Sequence, residues 1–119
     1  MTLKPALRLR NPGLVAEYLV LFYYAIRMYK LLHHRYKTTV GEIDLIMLKG
    51  KQLVFIEVKS RKYGMHENIV SANQQQRIAR AAELFIAKNY QYSNYNIRFD
   101  LAVVRPYRLP LIIENAWYI

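Results

Sequence analysis

A chain of 119 residues is long enough for one domain with a genuine core and too short for two comfortable ones. It has no cysteine, which excludes a disulfide framework and a thiolate zinc site and makes a reducing cytoplasm the default compartment. The formal charge of +10, from 18 Lys and Arg against 8 Asp and Glu, attracts polyanions in a salt-dependent way, so nucleic acid is the expected partner and an anionic membrane surface the rival.

Residues 1 to 12, with Lys4, Pro5, Arg8, Arg10 and Pro12, read as a basic flexible arm, leaving 13 to 119 as a single domain. The amino terminus carries no apolar run ending in a small-residue cleavage site, so no secretory signal is expected. Gly13 to about Met28 suits a helix, and the aromatics Phe22, Tyr23 and Tyr24 imply that neighbours cover much of it. This segment is no transmembrane helix. Its longest uncharged stretch, Tyr18 to Ile26, falls far below the roughly 20 apolar residues that span a bilayer. Tyr29 to Tyr36 then reads as a short strand or a connection.

Gly41 to Leu48 and Gln52 to Lys59 form a predicted β-hairpin, with Gly50 supplying the positive φ that a tight loop requires. Alternation puts Ile43, Leu45 and Met47 on one side with Val54, Ile56 and Val58, an apolar set that belongs against a core. Asp44, Glu57 and Lys59 lie on the opposite side. A two-residue loop at Gly50-Lys51 sets Asp44 opposite Glu57, and a register slip of two would still leave both acids on one face.

Ser60 to Asn68 is a polar, basic loop. Ser71 opens a helix that runs to about Asn89: Ser71 and Gln74 have capping-box spacing, and Ile78, Ala81, Ala82 and Phe85 mark its buried stripe. After a polar loop rich in tyrosine, Ile97 to Val104 reads as a central strand. Arg105, Pro106 and Pro110 bracket a turn, Leu111 to Glu114 gives a last short strand, and Trp117 and Tyr118 are expected to pack back on the body. This order favours an α/β architecture, a mixed central β-sheet flanked by helices.

Two carboxylates and an ammonium on one patch suit a metal-dependent hydrolase. Carboxylate oxygens bind a hard cation, and Mg2+ accepts a site made of a few protein groups plus water and phosphate; Mn2+ also fits. The same residues also suit a cross-strand salt bridge on an exposed sheet face. Glu17 fits catalytic duty or a helix-dipole contact equally well. His33 and His34 are adjacent and His66 is isolated, so a histidine metal centre is not expected. Asp100, on a buried strand, is expected to pair with an arginine. Arg61 and Lys62, directly after the active strand, lead the candidates for phosphate contacts.

Gly13 and Glu17, Gly41-Glu42-Ile43-Asp44-Leu45-Ile46, Val54-Phe55-Ile56-Glu57-Val58-Lys59 with Arg61, and Arg98-Phe99-Asp100 carry a resemblance. In these residues the chain resembles the YraN-like family of small bacterial proteins, within the PD-(D/E)XK nuclease superfamily and related to archaeal Holliday-junction resolvases. The resemblance runs from Gly13 to about Tyr118. It implies a restriction-endonuclease-like core and a DNA endonuclease, with branched or resolvase-like substrates and a homodimer among the expectations. Asp44 and Glu57 would then ligate the ion, Lys59 would assist the attacking water, and Glu17 would be an additional acid from the first helix. Ala16 stands where the family usually has a second glycine, Arg35 replaces a common asparagine, and Gln74 occupies a frequent lysine position. Gln75 is the substitute expected on that helix, as a contact to nucleic acid. A non-catalytic nucleic-acid-binding module or repair adaptor that keeps the fold is the alternative, and RNA stays open as a substrate.

Overall fold

The turn at Gly50-Lys51 sets the register on which the sheet is built. In the computed structural model, which describes residues 12–61 and 70–117, Gly50 takes a φ of 60°. Strand β2 (Glu42–Lys49) folds back on β3 (Gln52–Ser60), paired from Lys49 with Gln52 to Leu45 with Ile56. One step further, this register brings Asp44 to Glu57, as the two-residue loop requires.

The Tyr29 to Tyr36 segment is a full strand, β1 (Lys30–Lys37), antiparallel to β2 and bulged between Leu31 and His33. Strand β4 (Asn96–Val104) runs parallel to β3 in continuous register, from Gln52 beside Asn96 to Ser60 beside Val104. Short β5 (Leu111–Ile113) closes the other edge, antiparallel to β4. The five-stranded sheet keeps chain order β1 to β5 and is mixed because β3 and β4 are parallel. Two parallel strands cannot be joined by a tight turn, so the chain crosses over between them. The crossover carries helix α2 (Ala72–Lys88), while α1 (Pro12–Ile26) precedes the sheet.

Both faces of the sheet are apolar, and each has its own helix. Val20 and Tyr24 of α1 pack with Leu45, Met47, Val54 and Ile56. On the opposite face, Ile78, Ala82 and Phe85 of α2 meet Ile46, Leu53 and Phe55. The face expected to carry only the chemistry is therefore mostly a second core layer, with the charged groups gathered at its end. An interior strand covered on both sides reads as a continuous apolar run, which Leu53-Val54-Phe55-Ile56 is. Ile43 departs from its expected partners and packs in the α2-side layer. The β2–β3 ladder stops at Leu45, so pairing with β3 no longer holds Ile43 to the face of Leu45; its partner is Tyr36 of β1, whose ring meets Phe85 edge-on.

Pro12 opens α1, where its missing N–H is no loss. Residues 1–11 of the expected arm lie outside the described residues, as does Tyr118. Met28, at φ 74°, turns the chain out of α1, and the Tyr29 amide closes the end by donating to the Tyr24 carbonyl at 3.0 Å. At the start of α2 the Ser71 hydroxyl accepts from the Gln74 amide at 3.1 Å, one half of the capping box. Trp117 is buried and stacks on Phe99, as its expected return to the body requires.

Asp100 has the arginine partner expected of it. Arg98 grips it through two nitrogens at 2.8 and 2.9 Å, the Tyr24 hydroxyl donates at 2.7 Å and the Asn115 amide at 3.0 Å. This fully buried carboxylate joins α1, β4 and the C-terminal turn. Burial and the Asp100 charge together push the Tyr24 phenol well above its ordinary range, so Tyr24 remains a donor. Removing one partner strands the other charge in the interior. Asp100→Ala is expected to lower unfolding stability by about 3–5 kcal/mol, read by urea or thermal denaturation. At Gly41 a Cβ would collide with the Arg77 carbonyl of α2. Gly41→Ala is expected to cost about 1–3 kcal/mol by the same assay, because a backbone atom must give way.

Candidate active site at the end of the hairpin

Glu57 and Lys59 are two residues apart on β3 and so emerge on one face, toward the first turn of α2. The Lys59 ammonium lies 3.2 Å from Glu57 Oε2. Gln74 completes a closed set: its amide nitrogen donates to Glu57 Oε2 at 2.7 Å and its amide oxygen accepts from Lys59 at 3.3 Å. The missing half of the capping box is explained here, since charged partners outcompete a free backbone amide.

Asp44 comes in from β2. Its Oδ2 accepts from the Val58 amide at 2.8 Å, which fastens the hairpin just where the regular ladder ends. The Asp44 and Glu57 carboxyls are within hydrogen-bonding reach of each other. Both line a cleft of about 260 Å3 with Glu42, Gln74, Arg77 and Ile78.

The electrostatics of the pair follow from burial. Desolvation, then the neighbouring Asp44 charge, push Glu57 up to about 7 against the opposing pull of Lys59. Desolvation also raises Asp44, partly offset by the Val58 N–H, and the charge of Glu17 adds to the rise. Two such carboxyls hold a proton between them near neutrality, and a divalent cation would take its place. Their hard oxygens are of the kind that Mg2+ or Mn2+ takes, so Asp44 and Glu57 are the residues that could hold such an ion. Among the described residues, no three Asp, Glu or His side chains group closely enough to hold a metal ion by themselves.

Glu17 stands apart from that pair. Its Oε1 is held by His34 Nε2 at 2.7 Å and by Arg35 Nε at 2.9 Å. Arg35 reaches it from a left-handed backbone conformation, φ 58°, on bulged β1. His34 is a contact that sequence reasoning missed. The only available signal was the basic run His33-His34-Arg35, and the bulge that aims it at α1 is invisible in the pattern.

Of the residues expected at the site, the structure brings Asp44, Glu57 and Lys59 together, while Glu17 is held on its own partners and reaches Asp44 through its charge. Gln75 takes another position, its amide nitrogen donating to the Val70 carbonyl at 2.8 Å. Gln74, read from the sequence chiefly as a cap, is the helix glutamine that touches the acids. Arg61 donates to the Ser60 carbonyl at 2.9 Å and lines a different cleft, on the α1 side. Lys62 lies outside the described residues.

A mixed five-stranded sheet with a helix on each face is an α/β fold compatible with a restriction-endonuclease-like core. The chain has relatives among known proteins. It belongs to the family described as uncharacterised protein family UPF0102, the YraN-like family, whose model matches residues 16–104. That span holds Glu17, the whole hairpin, α2 and β4. A UPF0102 protein of Ehrlichia ruminantium (strain Gardel) is 40% identical over 106 residues, which cover 88% of this chain and 82% of the relative. One from Chelativorans sp. (strain BNC1) is 37% identical over 111 residues, 92% of this chain and 90% of the relative. Another, from Ehrlichia chaffeensis, is 38% identical over 105 residues, 88% and 85% of the two chains.

The raised Glu57 makes a signed prediction for the metal-free protein. Folding lifts this carboxyl from 4.5 to about 7, so its contribution to stability is fully present below about pH 4.5 and lost as pH rises through 7. In chelator, the melting temperature of wild type is expected to fall relative to that of Glu57→Gln between about pH 5 and pH 8, and added Mg2+ to restore it most at the alkaline end.

Proposed function

We propose that this protein is a metal-dependent endonuclease that hydrolyses DNA phosphodiester bonds, with a preference for branched or otherwise structured substrates. The observation that carries this reading is the closed contact of Glu57, Lys59 and Gln74 beside Asp44, in a cleft open to an incoming phosphate. The charge of +10 supports it, since such a field draws a polyanion toward the carboxylates that would otherwise repel it.

A divalent ion bound there supplies polarisation of the phosphoryl group and a more acidic water. Asp44 and Glu57, each anchored through one oxygen by the Val58 amide and by Gln74, would hold it. Lys59 orients the attacking water and stabilises charge developing on the phosphoryl oxygens. Gln74 is a positioning residue, fixing Lys59 and Glu57 in one arrangement. Arg77, one turn along α2 at the wall of the cleft, meets the substrate phosphate. Glu17 is the additional acid, held in place by Arg35 and His34. Two copies acting together would cut both strands of a symmetric substrate.

One observation favours a second reading, a nucleic-acid-binding module that keeps the fold without hydrolysis. The described residues offer no three-residue metal cage, and a glutamine occupies the helix position nearest the acids. A panel of labelled duplex, flapped, four-way and single-stranded DNA, incubated with Mg2+, Mn2+ or chelator, separates the two. Metal-dependent cleavage is expected, reduced about 100-fold or more in Asp44→Ala, Glu57→Gln and Lys59→Ala while DNA affinity persists. No metal-dependent product on any substrate, with binding intact, would favour the module. RNA substrates in the same panel decide whether the sugar matters.

A further inference from the structure

On the α1 face, the C-terminal ends of the parallel strands β3 and β4 open into a second and larger cleft, of about 800 Å3. Its walls come from Val15 and Leu19 of α1, Val104 at the end of β4, and Leu109 in the turn before β5. Into these apolar walls are set three arginines, Arg61, Arg105 and Arg108, and among the described residues no carboxylate lines the cleft. None of the ion pairs among the described residues involves them.

Two details show that the cleft is built to receive something. Arg105 Nε is sealed from solvent and has no hydrogen-bond partner, a state shared among the described residues with Trp117 Nε1 and costly for a buried donor. Tyr107 is held at φ 60°, a conformation costly for an aromatic residue, with its side chain fully exposed at the rim. Guanidinium groups select phosphate through paired N–H donors, and an exposed phenol ring beside leucine offers a stacking surface for a base. Anion and flat apolar group together describe one nucleotide unit.

Its position fits the same strand that would feed the acidic cleft. Ser60 lines the arginine cleft and lies three residues beyond Glu57 on β3, about 10 Å along the strand and on the other face. A polynucleotide drawn across the end of β3 meets both. We propose that the Arg61–Arg105–Arg108 cleft binds an unstacked nucleotide of a single-stranded or splayed polynucleotide, its phosphate on the arginines and its base against Tyr107 and Leu109. The choice of polynucleotide rests on reading the acidic cleft as a phosphodiester site. Base-paired DNA does not satisfy the cleft, because its bases are already stacked.

Fluorescence anisotropy of the full chain with a labelled oligo-dT strand in chelator tests this without hydrolysis. Arg105→Ala combined with Arg108→Ala is expected to weaken binding about tenfold or more. Arg108→Glu alone, at an exposed position, guards against a folding defect and is expected to do the same. Tyr107→Gly should weaken binding about fivefold while melting no lower than wild type, since glycine removes the backbone strain as it removes the ring. An abasic strand of equal length should bind more weakly and lose its dependence on Tyr107 but keep its dependence on the arginines. Unchanged oligo-dT affinity in the arginine variants would overturn the proposal. So would abasic or duplex DNA that binds as tightly as oligo-dT with the same dependence on Tyr107. Flotation with phosphatidylglycerol vesicles that the arginine variants abolish, while oligo-dT binding stays whole, would reassign the cleft to acidic lipid and equally overturn it. Because affinity is read without metal, loss of cleavage with intact binding counts against the acidic site alone.

Discussion

The pairing of Lys49 with Gln52 across the Gly50 turn is the constraint on which the rest depends. It commits the paired residues of β2 and β3 to their faces, and a slip of one residue would turn one strand over against the other, so that Asp44 and Glu57 part to opposite faces and half of the apolar set leaves its layer. The two apolar layers on either side hold the register against that slip. At the site itself the Val58 amide and Lys59 hold the acids against their mutual repulsion, since two carboxylates brought together out of water repel each other. The packing of α1 and α2 on opposite faces adds free energy that keeps the acids adjacent.

That enforced proximity is what makes the end of the hairpin chemically useful. Burial and mutual repulsion raise the proton affinity of Glu57, while Lys59 and the Val58 amide stop the cluster from becoming simply two neutral acids. The result is a pair of carboxyls that hold their protons more tightly than free ones do. Gln74 contributes without charge. A lysine there would place a second ammonium against Lys59, whereas the amide donates to the carboxylate and accepts from the ammonium at once. Elsewhere, Asp100 is surrounded by donors and does not line the cleft, which separates this structural acid from Asp44 and Glu57.

The parallel pairing of β3 with β4 adds a second consequence. Both strands end at the same edge of the sheet, so the groups that follow them, Arg61 on one side and Arg105 to Arg108 on the other, gather beside α1. An acidic cleft and a basic, apolar one thus lie on opposite faces of one strand end. Three arginines of the chain's basic excess gather at that edge and raise the positive potential there.

Much of this was legible in the residues. Period-two alternation with Gly50 specified the hairpin, the spacing of Ile78, Ala81, Ala82 and Phe85 specified α2, and Asp44, Glu57 and Lys59 could be placed on one patch because strand geometry is local and repetitive. Tertiary structure decided what no local period encodes: that the chemistry face is also a core layer, that Ile43 joins it, that Gln74 rather than Gln75 turns to the acids, and that His34 and Arg35 take hold of Glu17. Each of these depends on where a helix lands against a sheet or on a single extra residue in β1. Such events join residues far apart in the chain through contacts that propensity and spacing do not carry.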